Sequence, residues 1–313
     1  MKYGFGIDIG GTTVKVAFFD ENGNLLCKWE IPTRSQGGGE QILPDIAATV
    51  QAFMTQNQLT NDEIIGIGVG VPGPVSSTGV VNKCVNLGWG VFNIEQQLSQ
   101  LTGFVVKAGN DANVAALGES WMGGGKGYDS LVMATLGTGV GGGIILGGKI
   151  LYGARGAAGE IGHMVLQRDE TETCGCGKRG CAEQYCSATG VVRMTKRFLA
   201  ADERPTALRE KEELTCKDIF DAAAAGDAVA ADALETVYDR MAEFCANLAN
   251  AFDPEVIVLG GGVSKAGQVL IDGIKRHFGK YVFHAMADMP FVLATLGNDA
   301  GAYGAFKLVL DNA

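Results

Sequence analysis

No apolar run in this 313-residue chain reaches the length of a membrane span. The amino terminus enters a strand-like segment, Tyr3 to Ile9, without the basic and apolar regions of a secretory leader. Charge-dense and low-complexity stretches are missing too, as is any recognisable linker or disordered tail. These absences imply a globular chain, expected in the cytoplasm and without a membrane partner. Positive charge is scarce: 25 Lys and Arg stand against 35 Asp and Glu, a net charge of −10. With no basic stripe to release counterions from a polyanion, nucleic acid is not an expected partner. A nucleotide remains admissible, because backbone N–H groups and a divalent cation can hold phosphates without bulk charge. The P-loop pattern GxxxxGK[ST] is absent, so such a ligand would need another cradle.

What is present is globular, with 47% hydrophobic and 19% charged residues. The length favours two domains over one core. Glycine is abundant, at 47 residues, roughly twice the usual share, which points to tight turns or close approach of backbone to ligand. Eight cysteines might suggest disulfides, yet Cys174, Cys176 and Cys181 crowd into eight residues while Cys27, Cys84, Cys216 and Cys245 are scattered through apolar contexts. In a cytosolic chain such a cluster more often binds metal or does chemistry.

Periodicity orders the rest. Gly4–Ile9, Val14–Phe19 and Leu25–Ile31 read as a β-meander, with Glu21-Asn22-Gly23-Asn24 as the second turn. A helix follows with Ile42, Ile46, Val50 and Phe53 on one face. Strands are expected at Ile64–Val71 and Val105–Ala108, the latter ending at Asn110-Asp111. A second round starts near Ser130, with strand Leu131–Leu136, a glycine turn Gly137–Gly143 and a returning strand Ile144–Leu146. The strand–glycine–strand device thus recurs after about 130 residues, and one reading is a duplicated unit of sheet plus helices. Val237, Met241, Phe244, Cys245, Leu248 and Phe252 share a helical face that Asp253-Pro254 ends. Strand Val256–Leu259 then meets Gly260-Gly261-Gly262. The last helix, Asn298 to Leu310, is loaded with Ala and Gly that would let it pack close to a partner element or a ligand.

Five constellations carry chemistry. Asp8-Ile9-Gly10-Gly11-Thr12-Thr13-Val14-Lys15 offers N–H and hydroxyl donors to phosphate, with Asp8 placed to orient Mg²⁺ or its waters; an ordinary hairpin is the plainer alternative. Five glycines in Gly137 to Gly143 exceed what a hairpin needs, so close approach of a ligand is the better reading. No helix or ribose-binding acid follows, which excludes a Rossmann fingerprint. Asn110-Asp111-Ala112-Asn113 stands at a strand's carboxyl end, where α/β folds bind ligands, and the two Asn suit a polyol. Asp111 could equally be a helix N-cap or first-turn acid. His163 with Cys174, Cys176 and Cys181 makes a Cys₃His set for tetrahedral Zn²⁺, closed and therefore structural. Glu160 and Glu183 flank it, so an ion fixing this loop would fix two carboxylates; Cys186, just beyond, is not counted as a ligand. Gly260–Gly262 fits either a nucleotide-facing turn or a plain strand-to-helix connection.

Together these residues closely resemble the ROK family (repressor, open reading frame, kinase), and within it the bacterial glucokinases of Gram-positive type. The resemblance runs from Asp8–Lys15 through Gly70-Val71-Pro72-Gly73-Pro74, Val85-Asn86-Leu87-Gly88-Trp89, Asn110–Glu119, Leu136–Gly143, Gly159–His163, the Cys-x-Cys-Gly-x-x-Gly-Cys-x-Glu run and Gly260–Gly262. It implies an α/β, actin-like ATPase (ribonuclease H-like) fold with two domains around a central cleft. The expected division is residues 1–118 plus 298–313 against 119–297. It implies ATP-dependent phosphorylation of glucose, or of a neighbouring hexose such as mannose, fructose, N-acetylglucosamine or N-acetylmannosamine. Asp111 matches the catalytic base; Asn110, Glu160, His163 and Glu183, with Asp111, match sugar-binding positions. Asp8, Gly10, Gly11, Thr12, Thr13 and Lys15, with Thr138, Gly139, Gly261 and Gly262, match the ATP-binding positions. His163, Cys174, Cys176 and Cys181 match the zinc ligands. The implied cofactors are ATP, Mg²⁺ and a structural Zn²⁺, and the implied assembly is a homodimer. Gly109 departs from the family pattern, where a Glu or similar polar residue is expected. The family also contains repressors, whose helix-turn-helix segment would precede the kinase-like body; here the phosphate strand starts within ten residues of Met1. The stretch Asp202 to Cys216 matches nothing functional.

Overall fold

The computed structural model describes residues 1–312. From the amino terminus run β1 (Tyr3–Ile9), β2 (Thr13–Asp20), β3 (Leu25–Pro32), α1 (Ile42–Gln56), β4 (Ile64–Val71), the hairpin β5 (Val80–Cys84) and β6 (Trp89–Asn93), α2 (Ile94–Thr102), β7 (Val106–Asn110) and α3 (Asp111–Met122). There follow β8 (Leu131–Leu136), β9 (Val140–Leu146), β10 (Lys149–Ile150), α4 (Glu183–Cys186), α5 (Ala188–Ala201), α6 (Cys216–Ala224) and α7 (Ala228–Phe252). The chain ends with β11 (Val256–Gly260), α8 (Gln268–Phe278), β12 (Phe291–Leu293) and α9 (Ala300–Leu310).

Two five-stranded sheets result, ordered β3-β2-β1-β4-β7 and β10-β9-β8-β11-β12. The order is the same in both, which gives physical form to the repetition of the strand–glycine–strand device. In the first sheet β1, β2 and β3 pair antiparallel, while β1, β4 and β7 run parallel. In the second, β8, β11 and β12 run parallel. By packing, residues Met1–Asp129, Gly143–Gly159 and those from Thr295 onward form one compact unit, and Ser130–Gly142 with Glu160–Ala294 form another. These bounds differ from the expected division at 118/119, which would cut α3 inside its last turns. Residues 143–159 return to the first unit because Gly143 packs directly on Ala112 and Ala116 of α3.

In the first unit, side-chain alternation decides what covers each sheet face. Phe5, Ile7 and Ile9 of β1 and Ile67, Val69 and Val71 of β4 point into a core with Ile42, Ile46 and Val50 of α1 and Ile94 and Leu98 of α2. The intervening positions are Gly6 and Asp8 in β1 and Gly68 and Gly70 in β4. A Cβ at Gly6 would overlap the Ala302 carbonyl, one at Gly68 the Ala305 carbonyl, and one at Gly4 the Phe306 ring. The backbone of α9 therefore lies against the strands themselves, and only glycine fits. Gly304 is equally confined, against the Val114 carbonyl of α3. Adjacent residues divide accordingly: Phe18 meets Phe53 on the α1 side, tilted by 57° at 4.9 Å between ring centroids, and Phe19 stacks on Phe306 at 4.9 Å. The Ala/Gly-rich final helix thus uses its small residues for element packing.

Caps set the helix starts. Side chains of Asn93, Asn110, Ser187, Thr215 and Asp227 accept backbone N–H bonds at the starts of α2, α3, α5, α6 and α7. Asp227 makes α7 begin nine residues before Val237, where the expected apolar face starts. Asp253, in the left-handed conformation, ends it. Residues Asp202 to Cys216 are a braced connection: the Arg209 guanidinium donates to the Leu199 carbonyl at the end of α5 and to those of Asp202 and Arg204. Among the described residues no helix is long and apolar enough to cross a membrane.

Candidate active site and metal centre

In the first unit the candidate groups gather at the carboxyl ends of β1, β4 and β7. Asp8 pairs in register with Gly70, and Gly70 with Gly109. A Cβ at Gly70 would stand 3.6 Å from Asp8 Oδ1 and 3.7 Å from the Asp111 Cα, so the two acids flank one glycine. Burial raises the Asp8 pKa, and Lys15, 4.0 Å away, opposes that rise. The turn after Asp8 is tied by Gly10 N–H to the Thr13 carbonyl (2.9 Å) and by the Thr33 hydroxyl to the Gly10 carbonyl (2.7 Å), leaving Gly11 and Thr12 exposed. Lys15 Nζ donates to the Asn298 carbonyl at 3.4 Å, just before α9.

Asp111 opens α3, but Asn110 caps it. Asn110 Oδ1 accepts from the N–H groups of Ala112 (3.0 Å) and Asn113 (3.1 Å). Its Nδ2 donates to the Gly73 carbonyl (3.2 Å) and to Asp111 Oδ1 (3.0 Å). An amide has two donors and two acceptor lone pairs, so Asn110 is fully engaged within the protein. Those four bonds cap α3 and hold Asp111 in place. Asn113, the second of the pair, is 1% exposed and turns its Nδ2 to the Ala158 carbonyl. Asp111 Oδ1 also accepts from the Ala112 N–H at 2.8 Å. Beneath it Cys84 donates its thiol to the Pro72 carbonyl; burial pushes that thiol's pKa up, and the Asp111 charge adds to the rise. At Gly109 a Cβ would stand 2.8 Å from Val114 Cγ1, so a side chain there would require Val114 to shift.

Glu119, at the other end of α3, was not singled out by sequence. Wholly buried, its carboxylate accepts from the N–H groups of Gly124 (2.8 Å), Thr295 (3.0 Å) and Leu296 (2.8 Å), fixing the chain segment that leads into α9. Its signal was there to find, an acid three residues from the end of an apolar helix, but two of its three partners lie more than 170 residues away.

The second unit holds the glycine turns and the cysteines. The expected seven-residue turn is shorter: Gly137–Gly139 turns, closed by Gly137 N–H to the Gly139 carbonyl (3.0 Å), and Gly141–Gly143 already belong to β9. Two bonds anchor it to α5, from Ala188 N–H to the Gly137 carbonyl and from the Thr189 hydroxyl to the Thr138 carbonyl, both 2.8 Å. Gly261, with φ +82°, lies on the Leu136 backbone, so the 260–262 turn and the 137–139 turn are neighbours. It leads through a short 3₁₀ turn into α8, as a strand-to-helix connection.

His163, Cys174, Cys176 and Cys181 bring one ligand atom each to within 4.8 Å of one another. Cys176 and Cys181 Sγ are 3.6 Å apart, and Cys174 Sγ is 4.0 Å from His163 Nδ1. A tetrahedral ion with Zn–S bonds of about 2.3 Å needs S···S edges near 3.8 Å, so the set fits zinc. Nδ1 faces the thiols while Nε2 lies 3.9 Å from Glu160. Metal at Nδ1 would fix the proton on Nε2, making it a donor. Burial pushes the Cys181 thiol up to about 12 and raises Cys174, whereas the Lys178 N–H lowers Cys176. Glu183 sits against this cluster: Oε1 is 3.4 Å from Cys174 Sγ, and Oε2 accepts from the Val140 N–H at 3.1 Å. Gly139 lies directly against it, since a Cβ there would meet Glu183 Oε2 and displace the carboxylate.

The family model described as the ROK family matches residues 4–312. A glucokinase of Halalkalibacterium halodurans is 45% identical over 97% of this chain and 94% of its own length. A glucokinase of Thermotoga maritima is 33% identical over 97% and 96%. Among solved structures, a ROK family glucokinase from Streptomyces griseus, in complex with glucose and AMPPNP, is 33% identical, covers 98% of both chains and superposes with a TM-score of 0.74.

Proposed function

The chain belongs to the ROK family, and on that premise we propose a glucokinase: the protein transfers the γ-phosphoryl group of ATP to the 6-hydroxyl of glucose. The whole-chain likeness to glucokinases carries the reading. The site chemistry supports it, with an acid braced at a strand end, glycine turns with open backbone, and two carboxylates beside a Cys₃His cluster.

Asp111 is the general base. The glucose hydroxyl oxygen attacks the γ-phosphorus, the bond to the ADP oxygen breaks, and the hydroxyl proton passes to the Asp111 carboxylate. Because an aspartate is a weak base for an alcohol, the proton leaves late, as the new P–O bond forms. Asn110 and the Ala112 N–H fix the carboxylate through Oδ1. Glu160, Glu183 and the Nε2 proton of His163 bind sugar hydroxyls. Gly10–Thr13, with Lys15, and Thr138-Gly139 with Gly261-Gly262 hold ATP through backbone and hydroxyl donors, which act on charge without reorganising. Mg²⁺ bound with ATP would neutralise phosphate charge, and Asp8 is the carboxylate beside the phosphate turn that would orient it. Zn²⁺ on His163, Cys174, Cys176 and Cys181 would supply structural closure only, all four positions being taken by protein. An actin-like two-domain organisation, a homodimer and a cytoplasmic location complete the proposal, on the family resemblance.

Product identity tests it. With Mg-ATP and glucose, one glucose 6-phosphate is expected per ADP released, read by a dehydrogenase specific for the 6-phosphate. ADP release without that product would mean that water or another hydroxyl is the acceptor.

A further inference from the structure

The four candidate metal ligands leave one part of their loop unheld. Between His163 and Cys174 lie ten residues, 164–173, none of which belongs to the ligand set. An ion pins the two ends of this bow but not its middle, and an unpinned segment retains conformational entropy. Glu170 stands within the bow, and its side chain is 2% exposed.

Five donors converge on that carboxylate. Arg197 grips it with a fork, Nη1 to Oε2 and Nη2 to Oε1, both 2.9 Å. Arg193 Nη2 and the Tyr185 hydroxyl bond to Oε2, and the Glu172 N–H to Oε1 at 2.9 Å. Arg193 and Arg197 lie one turn apart on α5 and also hold Glu172, Arg193 through Nε at 3.1 Å, so two carboxylates balance two guanidinium groups. The same assembly reaches α4, the helix that Glu183 opens. Gln184 Oε1 accepts from Gly180 N–H (2.8 Å) and Cys181 N–H (3.1 Å), its Nε2 donates to the Glu172 carbonyl (3.1 Å), and Arg193 Nη1 donates to the Gln184 carbonyl (3.2 Å).

We propose that Glu170, gripped by Arg193, Arg197 and Tyr185, is a metal-independent clamp on the zinc loop and a positioning residue for sugar binding. The inference rests on the reading that Glu160, His163 and Glu183 hold the hexose. Those groups stand at the two ends of the loop, and the clamp fixes the bow between them and braces the helix of Glu183. The ATP turn at 137–139 is anchored on the first turn of α5, by the Ala188 N–H and the Thr189 hydroxyl, bonds that none of the clamp side chains makes. Loss of the clamp therefore acts on the sugar and leaves the nucleotide little changed. The substitution is also survivable. Arg197 is 41% exposed, and a cavity of about 440 Å³ beside Glu170, Tyr185 and Arg197 lets water reach the released guanidinium.

The test is steady-state kinetics of Glu170→Gln and Arg197→Lys with both substrates varied, together with zinc content and the rate of zinc release to a chelator. For Glu170→Gln the expected result is one zinc per chain, faster release, a KM for glucose raised about tenfold and a KM for ATP within about twofold. Arg197→Lys keeps the charge but loses the fork and should show a smaller rise in the same KM. A glucose KM unchanged in both variants, with only a lower Tm, would overturn the proposal, as would loss of zinc from Glu170→Gln at rest. Should Glu170→Gln fail to fold, the partly exposed Arg197→Lys decides alone. If the wild-type protein phosphorylates no hexose, the functional reading has failed; faster zinc release in the variants still reads the clamp.

Discussion

Asp111→Asn is expected to lower kcat by about 10³-fold or more while the protein stays folded and keeps its zinc. Asparagine has the same shape, and its Oδ1 can accept the bonds that Asn110 Nδ2 and Ala112 N–H now make to Asp111. The start of α3 is secured independently by Asn110, so the fold loses only a first-turn acid, on the order of 0.3–1 kcal/mol. The proton acceptor is what disappears. Water cannot take its place without also offering itself as phosphoryl acceptor. ADP release, a thermal melt and zinc content on one preparation check the claim; turnover within tenfold of wild type would remove Asp111 from its role.

The second large effect is on the metal. Cys181→Ser is expected to lose zinc and, with it, glucose affinity by more than about 100-fold, while nucleotide affinity persists. Cys181 is fully buried, yet residues 171–179 around its partners are mostly exposed and supply little apolar core. The ion would be the core of the turn at 174–181; structural zinc is worth about 10–16 kcal/mol in small domains. His163 is both ligand and sugar donor in this account, and Glu183 rests against Cys174, so release of the ion loosens both recognition groups together. The 137–139 turn keeps its bonds to α5, which is why ATP binding survives. Metal analysis and calorimetric titration with glucose and with a non-hydrolysable ATP analogue measure both arms. A zinc-free variant that binds glucose as wild type does would refute the structural role of the ion.

How much of this was legible in the sequence depends on how far apart the partners lie. The Cys₃His set was readable because three of its members fall within eight residues and glycines mark the turns between them. The Asn110-Asp111 corner was readable as the end of a strand and the start of a helix, but the division of labour was not. Only the hydrogen bonds reveal that Asn110 is the cap and Asp111 the acid that it steadies. Gly4–Ile9 and Ile64–Val71 were identified as strands, while the reason for their alternate glycines lay in α9, more than 200 residues further on. The glycine run at 137–143 was taken as one long turn, since composition alone cannot separate a glycine that turns from one that, like Gly143, lets a strand lie against a helix. Glu170 carried no signal at all, because its side-chain partners sit 15 to 27 residues away on two helices.

The most direct measurement is a coupled ADP-release assay with Mg-ATP across glucose, mannose, fructose, N-acetylglucosamine and N-acetylmannosamine, on protein shown to hold zinc. The account predicts the highest kcat/KM for glucose, with glucose 6-phosphate formed in step with ADP. A higher kcat/KM for an N-acetylated sugar would contradict the substrate, and no turnover with any of the five would contradict the kinase.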